Sequence, residues 1–281
     1  MVTLDSYLST IRNLPSLPTT YVELKKTCDN PRKGADDIAG VISNDQALAS
    51  RLLQMANSAF YGFPRKVETV SDAVGKIGIT QIQSLVLATS VMDSFKFISP
   101  YVLDMKRFWK HSLSCAIASG LLARRESLEV DPETLFVGGL LHDIGRLVIY
   151  LKNPAEAKKL IEYCLEERAL EVPTEEKHFG FSHAEIGAGL LEKWNLPKSL
   201  VEMVRYHHAP ARSRDFKRIV YLVHVADFVV SGLKMGDSGE LFVAPLDVTH
   251  DFKFPLEPAD LAKLVQEIEV DSKQLLDIFC R

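Results

Sequence analysis

The chain has 281 residues, of which 47% are hydrophobic and 25% charged, and its formal net charge at pH 7 is −4. These values are typical of a soluble globular protein with one large or two modest domains. The negative net charge provides no basic field for binding nucleic acid or an anionic membrane, so neither is expected as a partner. The chain start lacks the pattern of a secretory signal and the four cysteines form no C-x-x-C pair, so we expect a cytoplasmic protein without disulfides or a zinc ribbon.

Apolar residues recur with helical spacing through nearly the whole chain, which predicts an all-α fold. In the first third of the chain the predicted helices are one ending near 29–34, two within 35–60, one near 71–77 and one at 80–95, the last with a Thr80–Gln83 capping box. Further helices are predicted at about 102–125, 132–151, 154–170, 182–194, 196–208 and 216–233, and the helix at 182–194 begins with a Ser182–Glu185 capping box. A loop at 235–256 and two short helices follow. The segment between 170 and 182, which contains "EVPTEE", is predicted as a loop. The apolar run 136–151 is too short and too charged to span a bilayer.

The stretch "FKFISPYV" at 95–102 marks the first clear boundary. We therefore predict an N-terminal helical subdomain over residues 1–98 and a second helical domain over residues 99–281, which ends in a helical tail. No internal repeat is found.

The stretch "GGLLHDIGRLVIY" at 138–150 carries His142 and Asp143 inside an apolar run. A buried carboxylate is costly unless it is paired, hydrogen-bonded or bound to a metal. An ion pair with Arg146, three residues further along the helix, is the simplest structural explanation for Asp143.

Other interior positions also carry imidazoles and a carboxylate. His111 lies on the apolar face of its helix, His183 at a helix start, His207 and His208 at a helix end, and Asp227 in a polar stripe with His224. Each alone has an ordinary explanation as a core, first-turn, helix-end or paired residue. Taken together, imidazoles with carboxylates indicate a site for iron, zinc, nickel or manganese.

In this order, the residues His111, His142-Asp143, His183, His207-His208 and Asp227 resemble the HDOD family, which is related to the HD and HD-GYP metal-dependent phosphohydrolases. The stretches "NSAFYGFPRKVETVSDAVGKIGI" (57–79), "LLHDIGRL", "FSHAEIGAGLLEKWNLP" and "VRYHH" carry the same resemblance, which covers about residues 10 to 225. It implies an N-terminal helical subdomain followed by an HD-type helical bundle.

The resemblance further implies two divalent metal ions bridged by Asp143. Iron or manganese is favoured, with zinc or nickel as alternatives. One metal would be held by His111, His142, Asp143 and Asp227, and the other by Asp143, His183, His207 and His208. Asp143 and Arg146 would be the catalytic residues. Asp143 would bridge the metals, and Arg146 stands where those enzymes place a phosphate-binding lysine.

Two departures from the HD-GYP pattern narrow the expectation. After His208 the chain reads "APARSR" in place of the Gly-Tyr-Pro loop, which argues against hydrolysis of cyclic-di-GMP. Arg107 stands where some relatives have a glutamate for a third metal, so two metals are the most that we predict.

Two hypotheses about function follow. HDOD proteins generally act as signalling outputs and lack the full ligand set, so this chain is expected to be a bacterial signal-transduction module with a regulatory or sensory metal site and a signalling protein as partner. Because the chain keeps the ligand set, the alternative is an active phosphohydrolase or phosphodiesterase that acts on a nucleotide or another phosphate-containing small molecule.

Overall fold

The computed structural model describes residues 3–11, 14–58, 60–126, 130–247 and 257–279. Within these ranges the chain forms fifteen α-helices, one short 3₁₀ helix and no β-strand, which confirms the predicted all-α fold. The helices are α1 (Leu4–Ser9), α2 (Thr19–Cys28), α3 (Ala35–Ser43), α4 (Gln46–Ala56), α5 (Val70–Ile77), α6 (Ile79–Ser94), α7 (Met105–Arg125), α8 (Pro132–Leu141), α9 (Ile144–Lys152), α10 (Pro154–Glu167), α11 (Glu171–Phe179), α12 (His183–Lys193), α13 (Lys198–Tyr206), the 3₁₀ helix (Pro210–Arg212), α14 (Lys217–Gly232) and α15 (Pro258–Phe279).

The chain divides into two compact units. The larger unit comprises Met1–Leu14 and Phe97–Glu269, and the smaller unit comprises Pro15–Lys96 and Val270–Arg281. The predicted domain boundaries, at 1–98 and 99–281, stay a prediction.

The smaller unit is built on α2 to α6, whose apolar faces form its core. Leu24, Ile42 and Val86 are fully buried there. The helix α6 begins at Ile79 after Gly78, which caps it without a side-chain hydrogen bond. The predicted Thr80–Gln83 capping box is therefore wrong, because Thr80 already lies inside the first helical turn.

The larger unit is centred on α7, α8, α9, α12, α13 and α14. The sequence predicts one helix over 132–151, but the backbone leaves helical geometry at Asp143 (φ −95°, ψ 9°) and divides this stretch into α8 and α9. The His142-Asp143 pair thus forms a turn between two buried helices. At the start of α12 the predicted capping box is confirmed, since Glu185 N donates to Ser182 Oγ and Ser182 N donates to Glu185 Oε2.

Two other predictions about elements are wrong. The "EVPTEE" segment is part of α11 rather than a loop, because Pro173 falls in the first turn, where its missing N–H removes no helical hydrogen bond. The tail forms one helix, α15, instead of two short ones. Most of the predicted loop before it, residues 248–256, lies outside the described residues, as does His250.

The core of the larger unit explains the apolar character of Pro132–Lys152. Among the described residues this one stretch is long and apolar enough to cross a membrane, but 89% of its most apolar window is buried inside the protein. Burial extends to its polar members His142, Asp143 and Arg146, each at most 2% exposed. The stretch therefore lies in the core of the larger unit.

Candidate metal centre

The seven side chains that the sequence predicts as metal ligands meet in the interior of the larger unit. Six of them are buried and one, His208, is half-buried. They come from α7, the α8–α9 turn, α12, the end of α13 and α14, and they are His111, His142, Asp143, His183, His207, His208 and Asp227.

One cluster contains the imidazoles of α7 and of the α8–α9 turn together with the carboxylate of α14. The Nε2 atoms of His111 and His142 lie 3.3 Å apart. Asp227 Oδ1 lies 3.3 Å from His111 Nε2 and 3.7 Å from His142 Nε2. These separations suit three atoms that bind one cation, each at about 2 Å from it.

The other cluster contains the imidazoles of α12 and of the end of α13. His183 Nε2 lies 3.0 Å from His208 Nε2 and 3.4 Å from His207 Nε2. Each imidazole thus presents the same nitrogen to a common point.

Asp143 lies between the two clusters and faces each with a different oxygen. Its Oδ2 is 3.1 Å from His142 Nε2 and 3.7 Å from His111 Nε2. Its Oδ1 is 3.2 Å from His183 Nε2 and 3.8 Å from His207 Nε2. One carboxylate is therefore placed to contact both clusters at once.

Hydrogen bonds to the far side of the rings fix which nitrogen faces each cluster. His142 Nδ1 donates to the carbonyl of Gly139 at 2.7 Å, and His207 Nδ1 donates to the carbonyl of Val204 at 2.6 Å. Because a carbonyl only accepts, Nδ1 carries the hydrogen and Nε2 of the neutral ring carries a lone pair. Such outer partners are typical of metal-ligating histidines.

The chemistry of these donors fits a metal cofactor. The Nε2 atoms of neighbouring imidazoles lie 3.0–3.4 Å apart. Their lone pairs repel at this distance unless a proton or a cation lies between them. A buried carboxylate with several neutral imidazoles is a donor set for first-row transition metals. The two clusters are therefore candidate metal sites.

Arg146 is a buried cation beside the centre and is surrounded by carboxylates. Its Nε donates to Asp143 Oδ1 at 3.0 Å, and Nη1 forms an ion pair with Glu171. Glu175 and Glu240 each place an oxygen 3.9 Å from the guanidinium. The predicted Arg146–Asp143 ion pair therefore exists, but it coexists with the clusters instead of replacing them.

The electrostatic balance around the centre favours bound cations. Burial alone would raise the pKa of Asp143, but His142 and Arg146 hold that pKa well below its usual range. Burial, together with Asp227 and Asp143, raises the pKa of Glu240 to about 8 against the opposing effect of Arg146. The raised pKa of Glu240 indicates that its carboxylate lacks nearby positive charge, which a proton or a bound cation would supply.

Protons occupy part of the centre in the absence of a metal. Burial lowers the pKa of His208 to about 3, helped by the neighbouring His183. For His183 burial and Arg146 act in the same direction, but Glu175 and Asp143 outweigh them and raise its pKa to about 9. His208 is thus neutral at pH 7, whereas His183 is protonated.

We expect metal binding to release protons. His183 must lose its proton before its Nε2 can bind a metal. Its pKa of about 9 therefore makes the affinity of the metal-free protein for Mn²⁺ rise with pH between 6 and 9. Against the effect of burial, Asp143 and Asp227 also raise the pKa of His142 well above its usual range, so this ligand must lose a proton as well. Calorimetric titration at pH 7 in two buffers of different ionisation enthalpy measures the release. A binding heat that does not depend on the buffer would contradict this prediction.

Three carboxylates beside the centre were missed by sequence reasoning. Glu171 and Glu175 lie on α11, and Glu240 lies in the segment after α14. Glu175 Oε2 accepts hydrogen bonds from both His183 Nδ1 and His183 N at 2.7 Å, so it orients a predicted ligand. The four-residue spacing of Glu171 and Glu175 would have placed both on one helix face, had the segment been predicted as a helix. Nothing in the sequence singles out Glu240.

Two residues near the clusters have supporting roles. His224 Nδ1 donates to the carbonyl of His207 at 2.6 Å, so it holds the backbone of a predicted ligand. The Sγ of Cys115 lies 3.5 Å from His111 Nε2. Burial and the nearby Asp227 raise the pKa of this thiol well above its usual range, so it is protonated in the metal-free protein. Its Sγ lies with the ligand atoms of His111, His142 and Asp227 in one group of potential metal ligands.

Comparison with known proteins identifies the family. The model of the HDOD domain matches residues 14–210. The chain belongs to the HDOD family. The predicted family is thereby confirmed, and the HDOD match extends from the smaller unit through the α7–α13 part of the larger unit.

Solved HDOD structures share this fold. An HDOD domain protein of unknown function from Geobacter sulfurreducens is 26% identical and superimposes with a TM-score of 0.81, covering 97% of this chain and 96% of that one. A candidate phosphohydrolase from Shewanella amazonensis SB2B is 25% identical, with a TM-score of 0.76 and coverage of 97% and 96%.

A curated relative is considerably longer. An uncharacterised protein of Treponema pallidum (strain Nichols) is 27% identical over 221 residues, which are 78% of this chain. This HDOD chain spans 42% of the length of that relative.

Proposed function

We propose that this HDOD protein holds two divalent metal ions and hydrolyses a phosphoester. The position of Asp143, with one oxygen toward each imidazole cluster, is the observation that carries the proposal. His111, His142 and Asp227 would complete one site, and His183, His207 and His208 the other. Iron or manganese is the favoured metal for such ligands, and the reducing cytoplasm that the composition predicts would preserve the ferrous state.

The reaction is the addition of water across a P–O bond. The water oxygen bonds to phosphorus, the bond from phosphorus to the leaving oxygen breaks, and the leaving alcohol acquires a proton. When bound, two divalent metals supply activation of water and neutralisation of charge on the phosphoryl oxygens.

The side chains of this protein position the reactants. Asp143 holds the two clusters at a fixed separation, and Arg146 fixes one oxygen of Asp143 by its Nε hydrogen bond. The Nη2 of Arg146 is buried and has no hydrogen-bond partner, so it is the atom of this guanidinium that remains for a phosphoryl oxygen. A candidate phosphohydrolase with the same fold supports phosphoester hydrolysis as the class of reaction.

A second candidate function is a regulatory or sensory output in signal transduction. The enclosure of Arg146 by buried carboxylates favours it, because a site that is closed by its own side chains is suited to respond to a ligand by opening. In that case a phosphate-containing molecule or the metal would change the surface that is presented to a signalling protein.

Hydrolysis of phosphoesters by metal-loaded protein tests the proposed function. We expect wild-type protein loaded with Mn²⁺ or Fe²⁺ to hydrolyse at least one of a set of phosphomonoesters and phosphodiesters. Asp143→Asn should lower the rate by about 100-fold or more, because the loss of a metal bridge removes several kcal/mol of transition-state stabilisation. His178→Gln, at an exposed histidine on α11, is the control and should keep the wild-type rate. Two bound metals without turnover of any ester would favour the regulatory function.

A further inference from the structure

One segment of the larger unit, Met235–Asp247, follows α14 and lies along the metal centre; we call it the strap. Its first residue is fixed by the hydrogen bond from Met235 N to the carbonyl of Val230 at 3.0 Å. Its last residue donates from Asp247 N to His224 Nε2 at 2.9 Å. In between, Leu241 N donates to Glu171 Oε1 at 3.0 Å. The strap is thus attached to residues that themselves support the centre.

The strap makes its tightest approach to α7 at Gly236. Its φ of +94° lies in the left-handed region, and a Cβ there would lie 2.4 Å from His111 N. The next residue donates from Asp237 N to the carbonyl of Arg107 at 3.0 Å. Glycine therefore lets the strap backbone run directly against the helix turn that carries a predicted ligand.

This course brings the side chain of Glu240 to the metal centre. A carboxylate oxygen of Glu240, a ring nitrogen of His208 and a carboxylate oxygen of Asp227 all lie within 4.8 Å of one another. His208 belongs to one predicted metal site and Asp227 to the other. The side chain of Glu240 is 6% exposed, so it reaches both halves of the centre from within the protein.

Glu240 also faces the atom of Arg146 that has no hydrogen-bond partner. Its Oε2 lies 3.9 Å from the buried Arg146 Nη2, which is too long for a hydrogen bond. A carboxylate thus lies beside both predicted sites and beside an unsatisfied guanidinium nitrogen. A phosphoryl group bound to two metals and an arginine requires the same surroundings.

A cavity of about 170 Å³ leads to this position. Its lining includes Arg107 and Lys234 on the outer side and His111 and Glu240 on the inner side. Lys234 is exposed. Arg107 is paired at 3.3 Å with Asp237, which also lines the cavity. Lys234 is therefore the outer basic residue that favours entry of an anion, and Glu240 lines the inner side of the cavity, beside the metal centre.

We propose that the Glu240 carboxylate occupies the place of a phosphoryl group at the metal centre, so that the strap is an autoinhibitory element which an anionic ligand must displace. This inference rests on the proposed function. Beside two bound cations the Glu240 carboxyl is ionised. Two anions cannot share one buried position without strong repulsion, so Glu240 and a phosphoryl group exclude each other in the metal-loaded protein. The proposal makes the enclosed centre a closed state of a phosphoester site.

Binding of inorganic phosphate to the metal-loaded full chain tests the proposal. Calorimetric titration of orthophosphate would compare wild type, Glu240→Gln and Glu240→Ala, each loaded with Mn²⁺ and checked for metal content by elemental analysis. The control is Glu176→Gln, which makes the same charge change at an exposed position on α11. We expect both Glu240 variants to bind orthophosphate about tenfold more tightly or better, with unchanged metal content, and the control to match wild type.

The same samples separate failure of this inference from failure of the proposed function. Unchanged or weaker phosphate binding by Glu240 variants that keep their metal overturns the strap proposal alone. Loss of metal from both variants also overturns it, because Glu240 would then be a ligand. Absence of metal from wild type overturns the proposed function and, with it, the inference.

Discussion

Gly145→Ala is expected to destabilise the larger unit by about 3 kcal/mol or more. A Cβ at this position would lie 1.9 Å from the carbonyl oxygen of His183 and 2.6 Å from the backbone N of Gly187. Both atoms belong to the backbone of α12, so α9 and α12 would have to separate. Asp143 and His183 lie on these two elements, and their separation would also weaken metal binding.

Urea denaturation followed by tryptophan fluorescence measures this effect. Both tryptophans, Trp109 and Trp194, are buried in the larger unit, so the signal reports on that unit. Gly120→Ala is the matched control, because its Cβ would meet its nearest heavy atom, Pro132 O, at an ordinary 3.6 Å. The control should be neutral or stabilising by up to about 1 kcal/mol. Equal stability of both variants would show that α9 and α12 do not pack as described.

Arg146→Met is expected to lower the free energy of unfolding of the metal-free protein by about 3–5 kcal/mol. The guanidinium is 2% exposed and is the ion-pair partner of the buried Asp143 and Glu171. Without it Glu171 loses its ion-pair partner, and Asp143 keeps only the imidazoles of His142 and His183 as cationic neighbours. Part of this buried negative charge must then be protonated or hydrated on folding. An arginine that served only to bind phosphate would leave stability unchanged when replaced.

The control for this prediction is a partly exposed ion pair in the same unit. Arg205 contacts Glu192 at 2.7 Å, and the Glu192 side chain is 54% exposed. Arg205→Met should therefore cost no more than about 1 kcal/mol. Added Mn²⁺ should restore part of the stability of Arg146→Met, since bound cations replace the missing charge. Wild-type stability of metal-free Arg146→Met would contradict the assigned role.

The sequence predicts the fold and the convergence of the ligands well because both follow from helical periodicity. His111 and Asp227 lie on apolar helices whose faces must be buried, and the capping box at Ser182 places His183 at a helix start. Their resemblance to the HDOD family then orders them around Asp143. These features depend on local pattern, which a single sequence records.

Features that depend on distant contacts were not predictable in the same way. The turn at Asp143 interrupts an apolar run that has no glycine or proline at positions 140–144 to mark a break. The sequence therefore predicts one helix where two exist. Pro173 favours a loop over the helix α11 at the sequence level, so the shared helix face of Glu171 and Glu175 was not predicted. Glu240 lies in a loop whose path is determined by hydrogen bonds to Arg107 and Glu171, and such tertiary contacts leave no periodic signal.

Electron paramagnetic resonance of the Mn²⁺-loaded protein tests the central claim most directly. Two Mn²⁺ ions that share the Asp143 carboxylate must be exchange-coupled. We predict about two metals per chain by elemental analysis and a coupled-pair spectrum, which Asp143→Asn converts into that of isolated ions. A stoichiometry of one, or a spectrum of isolated Mn²⁺ in the fully loaded wild-type protein, would contradict the claim that Asp143 bridges two metals.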